Sequence, residues 1–150
     1  MNKRNAHRGF TLIEVLLVVM ILAMLAAFAV PRIMDAGDRA RINMAKSAVG
    51  PTGPIGTALN MFKLEVGRYP TTDEGLSALV IKPSTLEGAE GDNWHKYMDK
   101  ADMLKDPWNH DYGYKFPGEV NQDGYDLWSN GPDGQQGTAD DICNWTTDNR

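Results

Sequence analysis

Sixteen apolar residues run unbroken from Val15 to Val30, and back to Phe10 the run is interrupted only by Thr11 and Glu14. A segment apolar on every side predicts a helix with apolar surroundings. Phe10 to Val30 makes a helix of about 30 Å, the thickness of a bilayer's hydrocarbon core. Pro31 ends the run; it removes one helical hydrogen bond and crowds the preceding turn, so a kink or local melting is expected there. From Arg32 to Val49 charges mix with Ile33, Ala36, Ala40, Ile42, Met44, Ala45, Ala48 and Val49, the pattern of an amphipathic helix. Gly50-Pro51-Thr52-Gly53-Pro54-Ile55-Gly56 opposes a continuous helix, which predicts a break around 50–53 and a restart with Pro54 in the first turn. Ile55, Leu59, Phe62 and Val66 then recur at helical spacing, a stripe expected to pack on a sheet, and Gly67 ends the segment.

Beyond Gly67 the elements shorten. Thr71-Thr72-Asp73-Glu74 reads as a capping box, with Leu76, Leu79 and Val80 on the apolar side of a short helix ending before Pro83. Residues Ser84 to Asn93 read as an acidic loop. Asp106-Pro107-Trp108 marks a turn into a strand over Tyr112 to Phe116, and a second strand runs from Tyr125 to Ser129. Asn121-Gln122-Asp123-Gly124 with Asp126 has a superficial likeness to a cation loop, but Asp-Gly before an alternating run predicts a hairpin turn. The fold class is α+β: a long amino-terminal helix and a head of helices against a small antiparallel sheet.

The length of 150 residues leaves room for one compact domain of modest size beside the apolar helix. Loss of residues 1–9, which hold Lys3, Arg4 and Arg8, takes the net charge from −5 to −8. So acidic a product argues against a nucleic-acid partner. Cys143 is the single cysteine, so no intramolecular disulfide forms; it reads as a small buried hydrophobe. His7, His95 and His110 lack metal-ligand spacing and have no nucleophile or carboxylate arranged with them, so no catalytic residue is expected. Trp94, Trp108, Trp128 and Trp145 form no periodic stripe and read as core and cap residues.

The amino terminus admits two readings. A basic head, an apolar run and Ala27-Phe28-Ala29 would suit a secretory signal cleaved after Ala29, releasing a soluble calcium-binding domain or hydrolase. The run is at or beyond the upper length of such signals, and an acidic residue near a helix centre costs about 3 kcal/mol, less towards its end. The second reading rests on Arg8-Gly9-Phe10-Thr11-Leu12-Ile13-Glu14, which resembles the prepilin-peptidase signal of type IV pilins and pseudopilins. That resemblance implies cleavage between Gly9 and Phe10, N-methylation of Phe10, and retention of the apolar helix with Glu14 as its fifth residue. Phe10 and Glu14 share one helix face. The Phe10 ammonium of a staggered neighbour would pair strongly with Glu14 among apolar helices, which makes Glu14 an assembly residue. A tolerated polar residue near the membrane interface is the plainer alternative.

Further along, Arg68-Tyr69-Pro70-Thr71-Thr72 with Gly75-Leu76 and Ala78-Leu79, Asp106-Pro107-Trp108, Ser129-Asn130-Gly131-Pro132-Asp133-Gly134, and Asp140-Asp141-Ile142 with Trp145 resemble the major pseudopilins of type II secretion. The single cysteine departs from type IV pilins, which usually close this region with a disulfide. The resemblance implies a pilin-like fold with a leader (1–9), a transmembrane and assembly helix (10–30) and a periplasmic head (31–150). It also implies a non-enzymatic subunit of a homopolymeric filament that drives folded proteins across the outer membrane. Its partners would be copies of itself, minor pseudopilins, the inner-membrane assembly platform and prepilin peptidase, its location the inner membrane and then a periplasmic pseudopilus. A minor pseudopilin or type IV pilin is the nearest alternative.

Asp133, Asp140 and Asp141 lie close together among Gly131, Gly134 and Gly137. Three gathered carboxylates repel unless a cation joins them, and an all-oxygen set in a flexible loop suits Ca²⁺. The spacing is not that of an EF-hand, and a solvated acidic turn is the alternative. Major pseudopilins carry a calcium site in this loop, so the resemblance implies structural Ca²⁺ held by Asp133, Asp140 and Asp141. Ser129, Asn130 and Gln135 are further candidates for its oxygens.

Overall fold

A computed structural model describes residues 11–145, without the side chains of 28–35. The chain divides into two compact units, one ending at Arg39 and one beginning at Ala40. Helix α1 (Leu12–Val49) supplies the described part of the first unit and the opening turns of the second. Its helical hydrogen bonding continues through Pro31, so the local melting expected there does not occur: one missing amide leaves the neighbouring turns intact. Every described residue from Thr11 to Ala27 is exposed. Among the described residues no helix is long and apolar enough to cross a membrane. The span expected over 10–30 includes Phe10 and the side chains of Phe28, Ala29 and Val30, which lie outside the described residues, as do Gly9 and the rest of the expected leader, 1–9.

In the second unit the interruption falls where the Gly-Pro pattern puts it. Helix α1 ends at Val49, and α2 (Pro54–Val66) begins with Pro54 behind Gly53. Glycine is required at the turn by close approach: a Cβ on Gly53 would stand 2.1 Å from the Ser47 carbonyl oxygen. Gly67, at φ 94°, closes α2 by donating its N–H to the Lys63 carbonyl at 2.9 Å. The predicted stripe of Ile55, Leu59, Phe62 and Val66 is buried and meets Ala45 and Val49 of α1 with Leu79 and Leu127. Each large side chain so buried contributes about 1.5–3 kcal/mol.

The capping box is real in its hydrogen bonds but caps little. The Glu74 N–H donates to Thr71 Oγ1 at 3.2 Å and the Thr71 N–H to Glu74 Oε2 at 2.7 Å. Only a turn and a 3-10 segment (Leu76–Leu79) follow, because Gly75 at φ 60° takes the backbone out of helical geometry. The stretch expected to be loop throughout contains a short helix, α3 (Gly88–Asn93). A second 3-10 turn spans Ala101–Leu104.

The sheet is antiparallel and three-stranded in the order β1 (Gly113–Lys115), β2 (Asp126–Ser129), β3 (Ile142–Cys143). Gly113 pairs with Trp128, whose ring lies over it, and a Cβ at 113 would come within 2.0 Å of that ring. Strands β1 and β2 answer to the two predicted ones. Two residues are too few to carry a period, so β3 had no sequence signal. Cys143 is half-buried in β3 opposite Trp128. Trp94 donates its indole N–H to the Ala78 carbonyl at 2.9 Å, and Trp128 meets Trp145 edge to face. His95 Nδ1 lies 2.8 Å from Glu65 Oε2 and its ring packs on Tyr97, a structural role.

Candidate functional site

Ser129 at the end of β2 stands opposite Ile142 at the start of β3, so the sheet itself closes the acidic loop between them. Inside it, one hydroxyl joins two of the predicted carboxylates: Thr138 Oγ1 lies 2.7 Å from Asp140 Oδ1 and 3.4 Å from Asp133 Oδ1, and its single proton serves the nearer. The Asp133 N–H donates to Asp140 Oδ2 at 3.2 Å and the Gln135 N–H to Asp133 Oδ1 at 2.8 Å. The Thr138 hydroxyl first, and then the Asp133 N–H, hold the Asp140 carboxyl below the usual carboxylate range. Asp141 Oδ2 accepts the Gly137 N–H at 2.7 Å, with Gly137 in the left-handed region at φ 91°.

The remaining oxygen of Asp141, Oδ1, is shut away from water with no hydrogen-bond partner. An anionic oxygen so placed is costly unless a cation satisfies it. Among the described residues no three His, Cys, Asp or Glu side chains are grouped to hold a metal ion. As they stand, then, Asp133, Asp140 and Asp141 are not gathered into a three-carboxylate site, and an ion here would need carbonyl oxygens beside them, a donor set of oxygens that suits a hard cation.

The further candidates divide. The Ser129 hydroxyl is fully buried and committed: it donates to Asp106 Oδ2 at 2.6 Å and accepts the Gly131 N–H at 3.2 Å. Asn130 Oδ1 accepts the Trp128 indole N–H at 2.9 Å, so what Ser129 and Asn130 have left to offer a cation is their backbone carbonyls. Gln135 is exposed, and its carbonyl oxygen lies 3.0 Å from Thr138 Oγ1, whose proton goes to the nearer Asp140. The second, superficial calcium loop is a turn whose carboxylate is already saturated: Asp126 accepts the N–H groups of Glu119, Val120 and Asn121 at 2.7–2.9 Å. Sequence reading passed over Asp106 and Asp126 as ligands of backbone; a lone Asp beside a turn is the only signal either gives.

At the other end of the chain, Glu14 lies in the first turn of α1 and is exposed. Its N–H approaches the Thr11 carbonyl at 3.1 Å and Thr11 Oγ1 at 3.4 Å, so Thr11 takes the capping position.

Residues 4–30 match the prokaryotic N-terminal methylation motif. With the head just described, this puts the chain in the class of proteins that carry that motif ahead of a long helix and a small antiparallel sheet. Residues 32–145 match type II secretion system (T2SS) protein G. The type II secretion system core protein G of Pseudomonas aeruginosa is 42% identical over 148 residues, covering 95% of this chain and 98% of that one. The core protein G of Escherichia coli strain K12 is 40% identical over 145 residues, covering 97% and 95%. In structure the chain is similar to the major pseudopilin from the type 2 secretion system of enterohaemorrhagic Escherichia coli, with TM-score 0.59, 35% identity, and 75% and 92% of the two chains covered. The chain belongs to the type II secretion system protein G family.

Proposed function

We propose that this protein is the major structural subunit of a type II secretion pseudopilus, with no catalytic role of its own. The observation that carries this reading is α1 beside the methylation motif: a helix apolar for most of its first half, with Leu12 82% and Ile13 75% exposed in the single chain. So large an apolar surface needs cover. A bilayer supplies it for the single subunit, and the α1 helices of neighbouring copies supply it in a filament. Prepilin peptidase would cut after Gly9 and methylate Phe10, leaving a single-pass inner-membrane protein with a periplasmic head. Copies leaving the membrane through the assembly platform, with minor pseudopilins, would build the periplasmic filament that drives folded proteins outward. Mass spectrometry of the mature amino terminus tests the reading: methylated Phe10 supports it, and a chain starting at Val30 removes it. Glu14→Ala is expected to leave cleavage at Gly9 intact while filament yield falls. Normal filaments from that variant would count against pairing of Glu14 with a neighbour's Phe10.

The acidic loop we read as a structural Ca²⁺ site held by Asp133, Asp140 and Asp141. The unsatisfied Asp141 Oδ1 supports it. A cation bound only by the folded loop stabilises the head by mass action, about 2.7 kcal/mol at a hundred times its Kd. Asp140→Ala is expected to bring the melting temperature in Ca²⁺ down to the value in chelator; an undiminished calcium effect in that variant would remove the site.

A further inference from the structure

We infer that the side chains of Ser129 and Asp106 position the acidic loop, acting through the backbone of Gly131 and not as ligands themselves; the inference rests on the calcium reading above. The path is continuous. Asp106 is anchored in its own turn, where Oδ1 accepts the N–H groups of Trp108 at 3.0 Å and His110 at 2.8 Å. Its other oxygen, in a side chain with no exposure, accepts the Ser129 hydroxyl at 2.6 Å. With its proton so directed, Ser129 Oγ presents a lone pair to the Gly131 N–H at 3.2 Å. Gly131 is thereby held at φ 64°. Its α-carbon lies so close to Asp140 that a Cβ would come within 2.6 Å of Asp140 Oδ2 and 2.5 Å of its carbonyl oxygen. A second brace stands on the same turn: the His110 ring packs against Gly134, where a Cβ would approach it to 3.0 Å.

The chemistry of each link is directional. A serine hydroxyl has one proton and two lone pairs, and a carboxylate only accepts. Asp106 therefore fixes which way the hydroxyl points, and the hydroxyl fixes the Gly131 amide. The short O–H···O⁻ distance is that of a charge-assisted bond. Without it, Gly131 is free to leave the left-handed region, and the surface against which Asp140 rests moves with it. Groups that orient ligands in this way typically change metal affinity about 10–100-fold when removed.

The test uses the full-length protein in detergent, titrated with Ca²⁺ alone by calorimetry, with hydrogen exchange of the Gly131 amide measured in chelator. Ser129→Ala is expected to raise the Kd for Ca²⁺ about 10–100-fold and to speed exchange at Gly131 even without the ion. If Ser129→Ala does not fold, Ser129→Cys carries the same test, since its sulfur is only a weak acceptor. A Kd unchanged within twofold in the folded variant, with only the melting temperature lowered, overturns the positioning role and leaves the calcium site standing. Wild-type protein that takes up no Ca²⁺ overturns the site and this inference together.

Discussion

Asp126→Ala is expected to destabilise the head by about 3–5 kcal/mol. The reasoning begins with the turn between β1 and β2. Glu119, Val120 and Asn121 present three consecutive backbone N–H groups inward, and one buried carboxylate accepts all three. Gly118 leaves the room, since a Cβ there would stand 2.7 Å from Asp126 Oδ1. Such a run of amides is an anion nest, and here the anion belongs to the chain. Alanine removes the acceptor but not the donors, and each amide left dry costs about 1–3 kcal/mol. Asp126→Asn should recover part of the loss, because its one carbonyl oxygen still accepts while its NH₂ faces a donor. Urea denaturation of the two variants checks the order; a loss below about 1 kcal/mol for Asp126→Ala would mean that water satisfies the turn. The same three bonds commit the Asp126 carboxylate to backbone, although the residues of this acidic turn look like a cation site.

Periodic features were legible from sequence: the apolar run, the Ile55–Val66 stripe, the Gly-Pro break and the two strands each rest on several residues in a fixed pattern. Gly75 shows the limit. Its capping box is fully formed, yet one left-handed residue prevents the helix that the box announces. Strand β3 was illegible because pairing with Trp128 and Ser129, and no local preference, makes it a strand. At the acidic loop, the three aspartates could be picked out by spacing, whereas Asp106 and the Ser129 hydroxyl act across a separation that no motif spans. The Ser129 hydroxyl, a candidate ligand by position, is committed to Asp106 and Gly131. Side chains that bind backbone thus look, in sequence, like side chains waiting for a ligand.

Arg68→Ala is expected to cost about 2–4 kcal/mol near neutral pH and to flatten the acid limb of the stability profile. Arg68 grips Glu74 with two parallel bonds, Nη1 to Oε2 at 2.7 Å and Nη2 to Oε1 at 2.9 Å, and its Nε reaches Glu90 at 3.4 Å. The Thr71 N–H and the Thr85 hydroxyl complete the acceptor sites of Glu74, whose side chain is only 3% exposed. The Arg68 fork chiefly, against the opposing effect of burial, lowers the Glu74 carboxyl from its ordinary 4.5 to about 2. A carboxyl lowered on folding contributes stability that is whole above 4.5 and is lost as pH falls towards about 2, here about 3 kcal/mol. Without Arg68, Glu74 keeps the backbone and threonine donors but stays buried beside no cation, so its carboxyl rises and it protonates higher. The decisive quantity is the difference between wild type and variant in melting temperature from pH 5 down to pH 2. It should be large at the upper end and shrink as Glu74 protonates in both proteins. A constant difference across that range would separate the fold from this charge, and would assign the role of Arg68 to the packing of its stem.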